Sequence, residues 1–300
     1  LYIQSRKREA EAMKIYYYAH TGHRIGLDRF RRACSIIRML KDVDITLLCS
    51  DYRIANEARH FGVDKSVGID VVRNIPKIAN RGDKLIFDSD EANPIMLDDM
   101  RKYFSSFIRI SDDIHDKKED GEFLISPYLE GEGICNAVVV DDKYFEKEDK
   151  SIELSYFFGD DDYEKDLEKN LSFIEGSDPD LLLGFYYFLD YEDMLREKFK
   201  RHHEFEDYDE VIKRSRVLIT ASPQAVLENL ASGGKPIYFQ REDYNFNFQE
   251  LFKKLHVPIL EKLENWQLLT ILKDLENHEY YKVEQRNQKI IKFIKESLNL

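Results

Sequence analysis

The sequence predicts an α/β protein of two Rossmann-like domains facing each other across a cleft. Three observations carry that expectation. Short apolar runs alternate with amphipathic stretches along the chain, the rhythm of βα units in parallel sheets. The rhythm pauses in a charged stretch, Asp141–Lys150, and then starts again. The 300 residues suit two domains of ordinary size, and 43% hydrophobic content gives each of them material for a core.

The elements follow in order. Residues 1–12 (LYIQSRKREAEA) read as an extension ahead of the fold, and Met13 opens the first domain, 13–145. Lys14–Ala19 reads as a buried strand, His20–Leu27 as a polar loop, and the residues from Asp28 as a helix. In that helix Phe30, Ala33, Cys34, Ile37 and Leu40 recur at helical spacing. Asp44–Cys49 is a second strand and Ile54–Phe61 a helix. Lys84–Phe87 is a strand ending at Asp88, Ile95–Phe104 a helix, and Phe107–Ile110 and Phe123–Ser126 two more strands. The second domain, 146–280, begins with the strand Ile152–Phe158. A helix over Tyr163–Ile174, a strand over Leu181–Phe188, a helix over Tyr208–Arg214 and a strand over Arg216–Thr220 come next. The helix Gln224–Ser232, the strand Pro236–Phe239 and helices near Phe248–Leu255 and Trp266–Leu275 complete it. A last helix, about Tyr280–Leu298, with 281–300 as its own segment, is expected to cross back onto the first domain.

Composition removes several function classes. A net charge of -13 repels nucleic acid and anionic membranes, so neither is an expected partner. Yet from Lys14 to Lys41 seven basic residues stand against one acid, Asp28, which suits a small anionic ligand. No apolar run approaches the roughly 20 residues of a membrane helix. The three cysteines, Cys34, Cys49 and Cys135, have no metal-ligand spacing, so no disulfide framework, structural zinc or other metal is expected. A reducing, cytoplasmic location follows as the expectation.

Ligands of parallel α/β sheets gather at the carboxyl ends of strands, and four such ends stand out. The first is His20–Arg29. Gly22 and Gly26 permit a tight turn, the helix start offers free N–H groups to an anion, and Arg24 and Arg29 add charge. His20, His23 or Asp28 could take a proton from a substrate. The second is Ser111–Asp116, where Asp112, Asp113, Asp116 and His115 could bind a metal or sugar hydroxyls, or form an Asp-rich turn that caps the strand; Asp88 shares that ambiguity. The third, Gly159-Asp160-Asp161-Asp162, reads as helix capping. The fourth is Ala221–Glu228 with Gly234-Lys235-Pro236. Ser222 is a natural N-cap, Pro223 a natural first helical residue, and Gln224 lies in the first turn. Glu228, about one and a half turns in, is either a ribose ligand or an ordinary surface carboxylate.

Over residues 13 to about 260 the chain resembles the UDP-sugar hydrolase of pseudaminic acid biosynthesis. It is similar more distantly to the peptidoglycan N-acetylglucosaminyltransferase, which has the GT-B fold. Ile25–Arg32 resembles that hydrolase's I-G-x-G-H-x-x-R loop in part. Leu85–Asp88 and Ile110–Ile114 resemble its strand-D and strand-D-D signatures. Ala221–Glu228 with Gly234-Lys235-Pro236 resembles its A-G-G-S-T-x-x-E…G-K-P donor helix. The resemblance implies a GT-B fold, a nucleotide-sugar substrate with an acceptor, no cofactor, and Glu228 on the ribose. It also implies an Asn-Gln pair, which falls in Asn245–Gln249 and makes Asn247 a candidate ligand. Two departures stand against the hydrolase activity. Arg29 occupies the position of the implied catalytic His, so His23 fits only by a shift of register, and G-G-S-T is replaced by Ser222-Pro223-Gln224-Ala225. The readings that remain are a glycosyltransferase-like enzyme of bacterial surface-glycan synthesis, a non-catalytic nucleotide-sugar-binding relative, and a UDP-sugar hydrolase. Oligomeric state is not readable.

Overall fold

The computed structural model describes residues 13–244 and 247–300; the expected extension 1–12 lies outside them. Seven strands form the first sheet: β1 (Ile15–Ala19), β2 (Ile45–Cys49), β3 (Ser66–Gly68), β4 (Lys84–Asp88), β5 (Ser106–Ile110), β6 (Phe123–Ser126) and β7 (Ile134–Asn136). Six form the second: β8 (Ile152–Phe157), β9 (Asp180–Leu182), β10 (His202–His203), β11 (Ser215–Thr220), β12 (Lys235–Phe239) and β13 (Ile259–Leu260). Every pairing in both sheets is parallel. The first sheet runs β3-β2-β1-β4-β5-β6-β7 and the second β10-β9-β8-β11-β12-β13. Each half thus has the doubly wound order 3-2-1-4-5-6, the first with one strand added.

Among the described residues ten α-helices accompany them: α1 (Asp28–Met39), α2 (Tyr52–Glu57), α3 (Pro94–Tyr103), α4 (Asp166–Lys169), α5 (Leu189–Lys198), α6 (Tyr208–Arg214), α7 (Pro223–Ala231), α8 (Gln249–Lys254), α9 (Asn265–Asp274) and α10 (Asn287–Ser297). A parallel sheet covered on both faces needs strands apolar throughout, which is why IYYYA is buried at all five positions. Ile15, Tyr17 and Ala19 face one core and Tyr16 and Tyr18 the other. The tyrosine hydroxyls are satisfied at or beyond the sheet: Tyr17 donates to Asp88 at 3.0 Å, Tyr18 to Glu91, and Tyr16 to the Ile78 carbonyl. Asn93 caps α3 by accepting from the Met96 N–H, and Ser222 caps α7 through the Ala225 N–H.

The structure corrects several boundaries. The strand expected over Leu181–Phe188 ends at Leu182. At Gly184 a Cβ would lie 2.5 Å from the Gly159 carbonyl oxygen, so the chain here closes onto the loop after β8 instead of extending the sheet. The helix expected over Tyr163–Ile174 is a four-residue α4 and a 3-10 turn, because Lys165 takes left-handed backbone (φ 55°) and stops a longer helix from running through it. Residues 280–286 are not helical. There Arg286 donates to the Asn136 carbonyl, and Asn287, which opens α10, donates to the Val140 carbonyl. From Asn287 onward the last helix does return to the first half, where Ile290, Ile294 and Leu298 join its core.

Candidate functional site

In each sheet the strand order reverses between the first and fourth strands, β1/β4 and β8/β11. Such reversals open a crevice outside the carboxyl ends of the strands. Here the two crevices face one another. Between them lies a cavity of about 230 Å³. The first half lines it with Arg24, Asp28, Arg29, Arg32, Asp90 and Asp112. The second half contributes Pro223, Gln224 and Leu227 of α7, with Asp243, Tyr244 and Phe248 beyond β12. A neighbouring cavity of about 280 Å³ shares Arg29, Asp90 and Asp112 and is walled by the first half alone.

Arg29 and Arg32 are three apart on α1, so both reach the ends of β4 and β5. Arg32 is fully committed: Nε and Nη2 donate to Asp88 at 2.8 and 2.7 Å, and Nη1 and Nη2 to Asp112 at 2.7 and 2.9 Å. Burial opposes ionisation of Asp112, but the Arg32 guanidinium holds its carboxyl below the usual range. Arg29 is held more loosely, at 3.3 Å from Asp90 and 3.8 Å from Asp88. His20 stands behind Asp90, its Nδ1 2.8 Å from Oδ1, and is not among the lining residues.

The loop after β1 turns as its glycines predict. Gly26 (φ 77°) donates back to the Gly22 carbonyl, and Arg24 sits left-handed between them. The turn carries Arg24 to the cavity edge, where it lies over the Tyr163 ring at 4.4 Å and bonds Glu164 at 2.8 Å. Gly22 and Gly26 themselves do not line the cavity.

The other candidates bond the chain's own groups. His23 points out of the cavity, Nδ1 3.1 Å from Asp161 and Nε2 3.2 Å from Arg53, so neither ring nitrogen faces a cavity substrate as a base. Asp28 spends its carboxylate on α7, accepting from the Ser222 hydroxyl at 2.7 Å and the Gln224 N–H at 3.3 Å. Asp113 caps the His115 N–H and also lines the neighbouring cavity. Asn247 is exposed and caps the Gln249 N–H; Asn245, which belongs to the same motif, lies outside the described residues. Glu228 is only 1% exposed and sits inside the second half, accepting from the Tyr208 hydroxyl at 2.8 Å and from Gln224 at 2.9 Å. Burial pushes its carboxyl up to about 7. Glu228 does not line the cavity, whereas Gln224, which bonds it, does.

The Gly159–Asp162 stretch divides its labour. Asp162 caps, taking the Asp166 and Leu167 N–H groups, and Asp161 accepts from the Tyr163 N–H. Asp160 crosses to the first half and accepts both terminal nitrogens of Arg31, at 2.5 and 2.7 Å, and the Leu27 N–H. Arg31 and Asp160 are both buried, and the Arg31 guanidinium lies 3.6 Å over the Tyr208 ring. Sequence reasoning missed Arg31, Arg32, Asp90 and Tyr244 as components of the site. For the two arginines a signal existed: with Asp28 and Arg29 they put four charges into five residues of one helix start.

No family model matches the chain, and no curated protein matches it. Solved structures do. One is the UDP-GlcNAc 2-epimerase of Methanocaldococcus jannaschii in complex with UDP-GlcNAc and UDP. It has a TM-score of 0.61 at 12% identity, over 95% of this chain and 100% of that one. Another is MnaA of S. aureus with UDP, TM-score 0.61 at 11% identity, covering 96% and 98%. A third is the spinosyn rhamnosyltransferase SpnG complexed with thymidine diphosphate, TM-score 0.59 at 7% identity, covering 96% of each chain. The fold is GT-B. In GT-B terms the cavity occupies the cleft between the two Rossmann-like halves. No helix among the described residues is long and apolar enough to cross a membrane.

Proposed function

We propose that this GT-B chain binds a nucleotide sugar in the cavity between its halves and acts as a glycosyltransferase-like enzyme of glycan synthesis. The observation that supports this most is the convergence of both switch-point crevices, three arginines and the start of α7 on one cavity. In the proposed reaction the nucleotide packs against α7 and Tyr244, and the acceptor enters from the cavity walled by the first half. Asp90 takes the proton of the acceptor hydroxyl, with His20 orienting it. The hydroxyl oxygen then bonds the anomeric carbon as the bond from that carbon to the diphosphate breaks. Arg29, the loosest of the guanidinium contacts, turns to the departing charge. The enzyme needs no cofactor in this scheme.

The test is thermal stabilisation by a panel of UDP, TDP and CMP. A ligand at a hundred times its Kd adds about 2.7 kcal/mol to the folded state, and Arg29→Ala should remove most of the shift. Stabilisation by none of the panel sinks the proposal. Free sugar released without an acceptor would indicate hydrolysis instead of transfer.

One observation favours a second reading, a non-catalytic relative. Glu228 and the start of α7, the groups the resemblance assigns to the donor, are both engaged by the chain's own side chains. Nucleotide binding with no turnover over a broad acceptor panel would support it.

A further inference from the structure

We propose that Asp28 is the residue that sets donor affinity: its carboxylate holds the hydrogen bonds at the start of α7 that a diphosphate takes when it binds. This rests on the nucleotide-sugar reading above and concerns the same cavity. Asp28 belongs to α1 of the first half, whereas Ser222 and Gln224 belong to α7 of the second. One carboxylate oxygen accepts from the Ser222 hydroxyl and the other from the Gln224 N–H, so a single anion of this chain bridges the cleft.

Its seat is an anion's seat by two separate features. The first turn of the nine-residue α7 presents the Gln224 N–H, which Asp28 takes, and partial positive charge, while the Ala225 and Val226 N–H groups bond Ser222. The cavity that Asp28 lines also carries Arg24, Arg29 and Arg32. Asp28 is poorly compensated there. Arg31 is 3.9 Å away and already doubly bonded to Asp160, whose own negative charge lies nearby. Burial raises the Asp28 carboxyl above its ordinary range, the mark of a charge held at a cost. A diphosphate brings more charge and more acceptor oxygens to the same donors, so it competes well. Each binding event must still displace Asp28, and the measured affinity is lowered by that competition.

Calorimetric titration tests this on the full chain with UDP, TDP and inorganic pyrophosphate as probes, and with uridine as a ligand lacking phosphate. Asp28→Asn and Asp28→Ala should each bind UDP and pyrophosphate at least tenfold more tightly than the parent, with uridine binding unchanged. His23→Ala, which cuts the His23–Asp161 contact between the halves outside the cavity and leaves α7 alone, should stay within twofold of the parent. Unchanged or weaker diphosphate binding in both Asp28 variants overturns the inference while leaving the nucleotide-sugar reading intact. Equal tightening by His23→Ala also overturns it, because looser halves would then be the cause. Absence of binding by parent and variants alike removes the nucleotide-sugar reading and this inference together.

Discussion

Glu228 carries the clearest consequence of burial for a single group. Its carboxyl accepts two hydrogen bonds yet is pushed up to about 7, because removal from water outweighs both donors and the nearby Arg31. An unfolded Glu titrates near 4.3. The folded state therefore binds the extra proton between those values, and the associated stability is full below about 4.3 and lost as the pH rises through 7. On that basis the parent loses on the order of 3 kcal/mol between pH 4.5 and 8 through this one residue. Glu228→Gln keeps an acceptor and a near-identical shape without the charge. Chemical denaturation should find it more stable relative to the parent at pH 8 than at pH 5; parallel pH profiles of the two proteins would refute the assignment.

Among the elements, α10 is the one whose attachment is least local. It closes the core of the first half through Ile290, Ile294 and Leu298, and the Leu298 carbonyl accepts from Lys84 and the Ser297 carbonyl from Ser106. Ile294→Ala should cost about 2–5 kcal/mol, read by denaturant midpoint. A loss under 1 kcal/mol would mean the helix is not part of that core. The same elements show what a sequence makes legible. β1, β4 and β11 were found because each carries an unbroken apolar run of three or more residues, as strands covered on both faces do. The three-residue β3 and β7 and the two-residue β10 are too short to carry a period, and they lie at or next to the sheet edges. Helix α5 also went unseen, since only Tyr191 and Leu195 of its ten residues are buried. In the site, Arg24, Arg29, Asp112 and Gln224 were legible from strand ends and helix starts, positions that chain order alone defines. The fates of His23, Asp28 and Glu228 were not, since each is decided by a partner more than 15 residues away: Asp161, Ser222 and Tyr208.

At the scale of the molecule the halves are joined by charge. Arg31 and Asp160 form a buried two-bonded pair, while His23–Asp161 and Arg24–Glu164 lie nearer solvent. Exposed pairs are screened by salt and contribute little. Removing one member of a buried pair strands the other, at a cost of about 3–5 kcal/mol. Arg31→Met alone should lose that much in equilibrium denaturation, and Arg31→Met with Asp160→Leu should regain most of it. A double variant no better than the single would show that the loss comes from packing against Tyr208.

The return of α10 also orders events during synthesis. A ribosome delivers residues 13–145 before the second half, yet their hydrophobic interior stays open until Ile290, Ile294 and Leu298 have followed it. The half translated early is therefore completed late, and the half translated second, whose own strands lie wholly within 152–260, can pair all of them before α10 is made.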